Sequence, residues 1–254
     1  MATETESGYG VELGITKIWF PYKEGTLMQT YPFAGPDTYQ NVGREILSNQ
    51  VARLSLSDGE QTASFLHAAY CGPEEFQSIP QIQELRSRVM RHNCLWVFNR
   101  NLWIPGKKGG VYVQHDPKAK VLSEILNPNN LEKELEEGTE IKGVRFSKDK
   151  KTAFAPRGTY RDGEHSFEEF IKNGFVIATC HGSEGANKLG EVSQSRHFRY
   201  NKPSVWIVTP INQPIQTVSA LYDYVGNRLG LGGSRDGYAS GVLETSEAGS
   251  QNSE

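Results

Sequence analysis

Along the chain the apolar positions fall into two rhythms, one repeating every three to four residues and one every two, broken at short intervals by Gly and Pro. Ser57-Asp58-Gly59-Glu60 announces the first helix: a hydroxyl at the N-cap and a carboxylate three residues on can satisfy each other's free amides. Ala63, Leu66, Ala69 and Tyr70 then share one face, and Gly72 ends the run. A second helix starts at Pro80, whose fixed φ suits a first turn, and carries Ile82, Leu85, Val89 and Met90. From Cys94 the period drops to two. Leu95–Phe98, Leu102–Ile104 and Val111–Val113 read as three strands of a meander, with Asn99-Arg100-Asn101 as a turn between the first two. A short helix is predicted over 130–137 and a hairpin over 143–154, around the lysine-rich turn at 148–151.

Ser166-Phe167-Glu168-Glu169 repeats the capping-box pattern. Phe175–Cys180 is a continuous apolar run of strand length, which predicts a strand covered on both faces. With a helix carrying Ala186, Leu189 and Val192, and a strand at 204–208, it would form one β-α-β unit at 175–208 with a right-handed crossover. Short strands are predicted at 217–224, 228–232 and 238–243. The fold class expected is therefore α+β: a mainly antiparallel sheet with short helices. Residues 1–9 and 244–254 are small and polar and read as disordered tails flanking a single globular domain at 10–243.

Composition narrows the function classes. The 27 basic and 30 acidic side chains nearly cancel, so no whole-protein field draws the chain to nucleic acid or an anionic membrane. No apolar run is long enough to span a bilayer, and the acidic start has no signal-peptide pattern. Cys71, Cys94 and Cys180 are odd in number and widely spaced, which predicts reduced thiols and a cytoplasmic location. His115-Asp116 and Glu164-His165 are isolated pairs without metal-ligand spacing, so no metal or other cofactor is expected.

Two regions carry candidate chemistry. Cys180-His181-Gly182-Ser183-Glu184-Gly185 would be a turn that opens a helix and turns backbone amides toward an anion, making His181, Gly182, Ser183 and Gly185 candidate ligands for a small anionic or nucleotide-like molecule. It lacks the Gly-x-Gly-x-x-Gly and Walker patterns, and the plain alternative has Ser183 as a helix N-cap. Neighbouring residues on a strand face opposite ways, so Cys180 and His181 cannot pair as nucleophile and base, and the reading leans away from an enzyme. The second region is a pair of loops rich in Arg, Tyr and Gly, at 155–163 and 233–238. There Arg157, Arg161, Arg235 and Tyr238 offer planar area and directed donors of the kind that recognition surfaces use. The leading expectation is a non-enzymatic binding or interaction module with a protein partner.

Three stretches carry a resemblance: Gly110–Gln114 with Asp116-Pro117; Ala178–Leu189 leading to Val205-Trp206; and Val218–Tyr222 with Leu229–Gly233 and Tyr238–Val242. In this order they resemble hypothetical proteins of small archaeal genomes. Those proteins have no established activity, so the resemblance implies kinship over roughly residues 95–244 and assigns no functional residue.

Overall fold

The computed structural model describes residues 2–4, 9–12, 16–48, 55–120, 124–208, 212–224, 227–234 and 244–247. The chain begins with β1 (Ala2–Glu4), β2 (Gly10–Glu12), β3 (Thr16–Tyr22) and β4 (Gly25–Tyr31), followed by α1 (Tyr39–Ser48) and β5 (Ser55–Leu56). The strand Glu244–Glu247 inserts between β4 and β5 and completes a six-stranded antiparallel sheet. Both chain ends thus contribute strands, where polar composition alone placed tails.

The helix predicted after residue 57 is α2 (Gly59–Cys71), with its cap one residue later than the sequence suggests. Asp58 accepts from the Gln61 amide, and the Gln61 side chain accepts from the Asp58 amide. A carboxylate at the N-cap is as good an acceptor as a hydroxyl and adds favourable charge at the positive helix end. After α3 (Glu74–Gln77), Pro80 opens α4 (Pro80–Glu84), which continues through a π-helical turn at Leu85–Val89 into α5 (Met90–His92).

Next comes β6 (Cys94–Ile104), one unbroken strand of 11 residues where two were expected. Asn99, Arg100 and Asn101 form no turn: all three are buried in mid-strand, and each finds a partner from elsewhere in the chain. Asn101 donates to Thr217 Oγ1 at 3.3 Å and accepts from Ser219 Oγ at 3.0 Å. Arg100 donates to the Glu124 carbonyl and lies 3.5 Å from Asp116. Polar side chains are tolerated in a sheet interior when each is satisfied in this way.

β7 (Gly110–His115) pairs with β6; α6 (Pro128–Leu135), β8 (Thr139–Ile141), β9 (Val144–Phe146) and β10 (Thr152–Pro156) follow, the last two forming the predicted hairpin. Then come β11 (Gly163–Glu164) and α7 (Phe167–Phe170), capped by Ser166 and Glu169 as its sequence signals.

The apolar run at 175–180 is not a strand. It is α8 (Gly174–Thr179), a short helix whose residues are all buried. Periodicity cannot tell such a helix from a buried strand, since both are apolar on every side. Asn173 caps its start by accepting from the Phe175 amide. α9 (Ser183–Ser193) and β12 (Ser204–Trp206) follow, so 175–208 is a helix pair leading to a strand and not a β-α-β unit. β13 (Ile215–Tyr224) and β14 (Arg228–Ser234) form a long hairpin. The second sheet runs β11-β12-β14-β13-β6-β7-β10-β9-β8, antiparallel throughout except for the β12–β14 pair. The α+β class expected from sequence is the class found. Helices α2, α8 and α9 pack against one another and against the β6–β7–β10 region of the large sheet, around Phe65, Leu66, Phe175, Val176 and Leu189. No helix among the described residues is long and apolar enough to cross a membrane.

The junction of α2 with the end of α8 leaves no room for a side chain at Gly59: a Cβ there would lie 1.7 Å from the Thr179 carbonyl oxygen. Gly158, by contrast, has open space around it. Gly59→Ala should therefore lower stability by about 1–3 kcal/mol through overpacking against fixed backbone, while Gly158→Ala should stay within about 0.5 kcal/mol of the parent. Urea unfolding midpoints of the two variants check this, and equal midpoints would contradict the packing described.

Candidate binding site

In the turn at 180–185 the protein itself takes up the first three amides. His181 sits in the left-handed region at φ 56°, and the chain closes α8 with two reversed bonds, His181 amide to Ala178 carbonyl and Gly182 amide to Ile177 carbonyl. This is a Schellman closure with a histidine where glycine usually stands. With the Cys180 amide bound to Val176, three amides that could have cradled an anion are already committed. Gly182, not Ser183, is the N-cap of α9; Ser183 is its first residue, and its buried Oγ has no hydrogen-bond partner. Gly185 packs against Cys180, so a Cβ would meet the Cys180 carbonyl oxygen at 2.6 Å. Burial pushes the Cys180 thiol far above its ordinary range, which removes the thiolate a nucleophile would need.

His181 belongs to a buried polar junction that no local spacing announces. Asn99, in the middle of β6, donates through Nδ2 to the Thr179 carbonyl at 2.9 Å and accepts through Oδ1 from His181 Nε2 at 3.1 Å. The His181 ring stands edge to face with His115 at 6.1 Å, and His115 Nδ1 donates to the Phe98 carbonyl at 3.0 Å. Asp58 lies within electrostatic reach of both imidazoles and is ion-paired with Lys151. Burial lowers the pKa of both histidines, His181 to about 4, so both are neutral at pH 7. For Asp58, burial alone would raise the pKa. Attraction to His181 and Lys151, together with hydrogen bonds from Lys151 and the Gln61 amide, outweighs that and brings it to about 2. The outer side opens on a 740 Å³ groove lined by His115, Ser147, Asp149 and Lys151. Ser147 Oγ donates to Asp149 and accepts from the Thr152 amide. Residues 58, 99, 115 and 151 are unrelated in sequence, and only the fold brings them to 181.

Arg157 and Arg161 lie elsewhere, both exposed, on a loop that is fastened at several points. The Arg157 amide donates to the Gly109 carbonyl, and Asp162 accepts from the Ile207 amide at 3.0 Å. The Arg161 carbonyl accepts from Asn173 Nδ2, which also donates to His165 Nε2, while His165 Nδ1 donates to the Gly163 carbonyl. These bonds fix the His165 tautomer, and burial lowers its pKa. The Arg161 guanidinium pairs with Glu169 at 3.0 Å. A 340 Å³ cleft is lined here by Thr159, Tyr160, Arg161, His165, Lys172 and Asn173. Tyr160 packs its ring against buried Trp103 at 5.9 Å, and burial raises its hydroxyl pKa to about 12.

Trp103 links this loop to the other one. A Cβ on Gly233 would lie 3.2 Å from the Trp103 ring, and a Cβ on Gly232 would lie 3.3 Å from the Cβ of Trp206, its parallel partner on β12. Trp206, 40% exposed, stands beside the segment Asp162 holds. The 155–163 loop and the ends of β12 and β14 therefore converge at one end of the sheet. Arg235 and Tyr238, the remaining sequence candidates, lie outside the described residues. No group of three or more His, Cys, Asp or Glu suited to a metal ion occurs among the described residues.

No protein-family model matches the chain, and no curated protein matches it significantly. It is similar to a solved structure from work on the accommodation of massive sequence variation in Nanoarchaeota by the C-type lectin fold. The TM-score is 0.47 and the identity 14%, over 83% of this chain and 95% of that one.

The junction predicts an acid response with a definite sign. A histidine whose pKa falls from 6.5 in the unfolded chain to about 4 in the fold binds its proton preferentially when unfolded. Its contribution is constant above pH 6.5 and turns unfavourable as pH falls toward 4, amounting to roughly 3 kcal/mol. In His181→Asn, whose new residue also accepts the left-handed backbone, the slope of unfolding free energy between pH 6 and 4 should be shallower by about one proton. Chemical denaturation across that range checks it; parallel slopes for parent and variant would contradict it.

Proposed function

We propose that this protein is a non-enzymatic binding module, and that its recognition surface is the sheet end where the 155–163 loop meets the ends of β12 and β14. The observation that carries this reading is the convergence on Trp103. Tyr160 packs against one part of its ring, Gly233 at the end of β14 lies against another, and Arg157, Arg161 and Trp206 remain at the solvent side. Exposed Arg and aromatic side chains on backbone that is already fixed add no backbone ordering cost on binding, which is the economy of rigid protein-recognition surfaces. The state of the 180–185 turn supports the same view: its thiol is protonated, its imidazole neutral and buried, and three of its amides committed. The partner is a protein, met in a reducing compartment such as the cytoplasm, where Cys71, Cys94 and Cys180 stay as thiols.

A photo-crosslinking side chain placed at position 161, with one at exposed Glu45 as control, tests the surface in extracts of the cells that make the protein. A discrete protein adduct should form from position 161 and not from 45. With that protein purified, Arg157→Ala and Trp206→Ala should each weaken affinity by roughly tenfold, about 1.4 kcal/mol, without shifting the melting temperature. Absence of an adduct at 161, or the same adducts at both positions, would count against the reading.

A further inference from the structure

The opposite end of the β13–β14 hairpin carries a separate polar cavity of 250 Å³, between the hairpin and the layer formed by α2 and the helical segment that follows Pro80. Its lining has two chemical halves. One half is acidic or electron-rich. Asp223 accepts a backbone hydrogen bond from Arg228, but its Oδ1 is buried with no hydrogen-bond partner. His197 donates through Nε2 to Gln77 Oε1, since the Gln77 amide nitrogen is spent on the Gly72 carbonyl; the other ring nitrogen therefore carries a lone pair. The other half is cationic. Arg86 is held rigidly by donating to the Ala69 and Gln77 carbonyls, and Arg91 is exposed at the rim within electrostatic reach of Asp223. The floor is the buried ring of Tyr70, stacked on Phe198 at 5.2 Å and edge to face with His197 at 5.6 Å.

An unpartnered buried carboxylate oxygen is costly unless something completes it. Burial raises the Asp223 pKa, opposed by Arg91 and the Arg228 amide. A cation in the cavity, such as an ammonium group, would compensate this poorly satisfied carboxylate, but a bare cation would sit unfavourably close to two guanidiniums. A molecule that carries its own carboxylate a few atoms away answers both walls at once. From this we infer that the cavity binds a free α-amino acid, its ammonium beside the Asp223 carboxylate and its carboxylate toward Arg91 and Arg86. The volume suits a small side chain lying on Tyr70.

This site is independent of the loop surface and would stand if that surface had no partner. Calorimetric titration of the full-length protein with free L-amino acids tests it, with ethylamine and propionate as single-charge probes. At least one amino acid should bind saturably, and both single-charge probes should be at least tenfold weaker. Asp223→Asn, which keeps the shape, and Arg91→Ala, at the exposed rim, should each reduce the affinity at least tenfold while the unliganded melting temperature holds. No binding by any amino acid, equal binding of ethylamine, or binding that survives both substitutions would overturn the assignment.

Discussion

The architecture depends on one buried side chain, Asn99. It stands at the centre of the longest strand, and its two amide atoms are divided between a backbone carbonyl at the end of α8 and the ring of His181. Apolar contacts between helices and sheet are strong but non-directional, and by themselves would allow α8 to slide or rotate. A hydrogen-bonded amide in a dry interior is directional, and breaking it leaves polar atoms unsatisfied at a cost of about 1–3 kcal/mol each. Asn99 thus fixes where α8 ends, the end of α8 fixes the left-handed His181, and His181 fixes where α9 begins. The start of α2 seats against the same point, its first residue pressed on the Thr179 carbonyl.

With the helical layer fixed, the sheet can present different chemistry at its two ends. Where β12 and β14 end, Trp103 anchors Tyr160 from inside while Arg157, Arg161 and Trp206 stay outside. At the hairpin turn, Asp223 is left half-buried against Tyr70 and the arginines of the helical segment. The junction around His181 lies between them and is chemically quiet, because neutral imidazoles and a neutral thiol carry no activated group at pH 7.

Much of the fold was legible in the sequence because the signals were local. Ser166 and Glu169, Pro80, Gly72 and the 143–154 hairpin all act within a few residues, and the structure places elements where they indicate. The failures share a different cause. Asn99-Arg100-Asn101 reads as a turn because polar residues usually need water, yet here Thr179, His181, Thr217, Ser219 and Asp116 replace it from distant parts of the chain. Phe175–Cys180 reads as a strand because an element buried all round shows no period. Among the candidate site residues, Arg157 and Arg161 are exposed, the first opening a short 3-10 turn at Arg157–Thr159. At the 180–185 turn the closure of α8 takes up the His181 and Gly182 amides, a long-range consequence of the buried helix that the local Gly and Ser pattern does not show. The residues that surround His181 gave no signal, since a network of side chains far apart in sequence leaves no spacing to detect.

The most direct test of this account is the tautomer and charge of His181, read by long-range proton–nitrogen NMR of imidazole-labelled protein from pH 7 down to 5. With Asn99 Nδ2 bound to the Thr179 carbonyl, its oxygen faces His181 and needs a proton on Nε2, while burial keeps the ring neutral throughout that range. A ring protonated only at Nδ1 would mean that Asn99 does not hold the helical layer to the sheet in the way described, and an imidazolium signal at pH 6 would mean that the ring is not buried in the dry junction described.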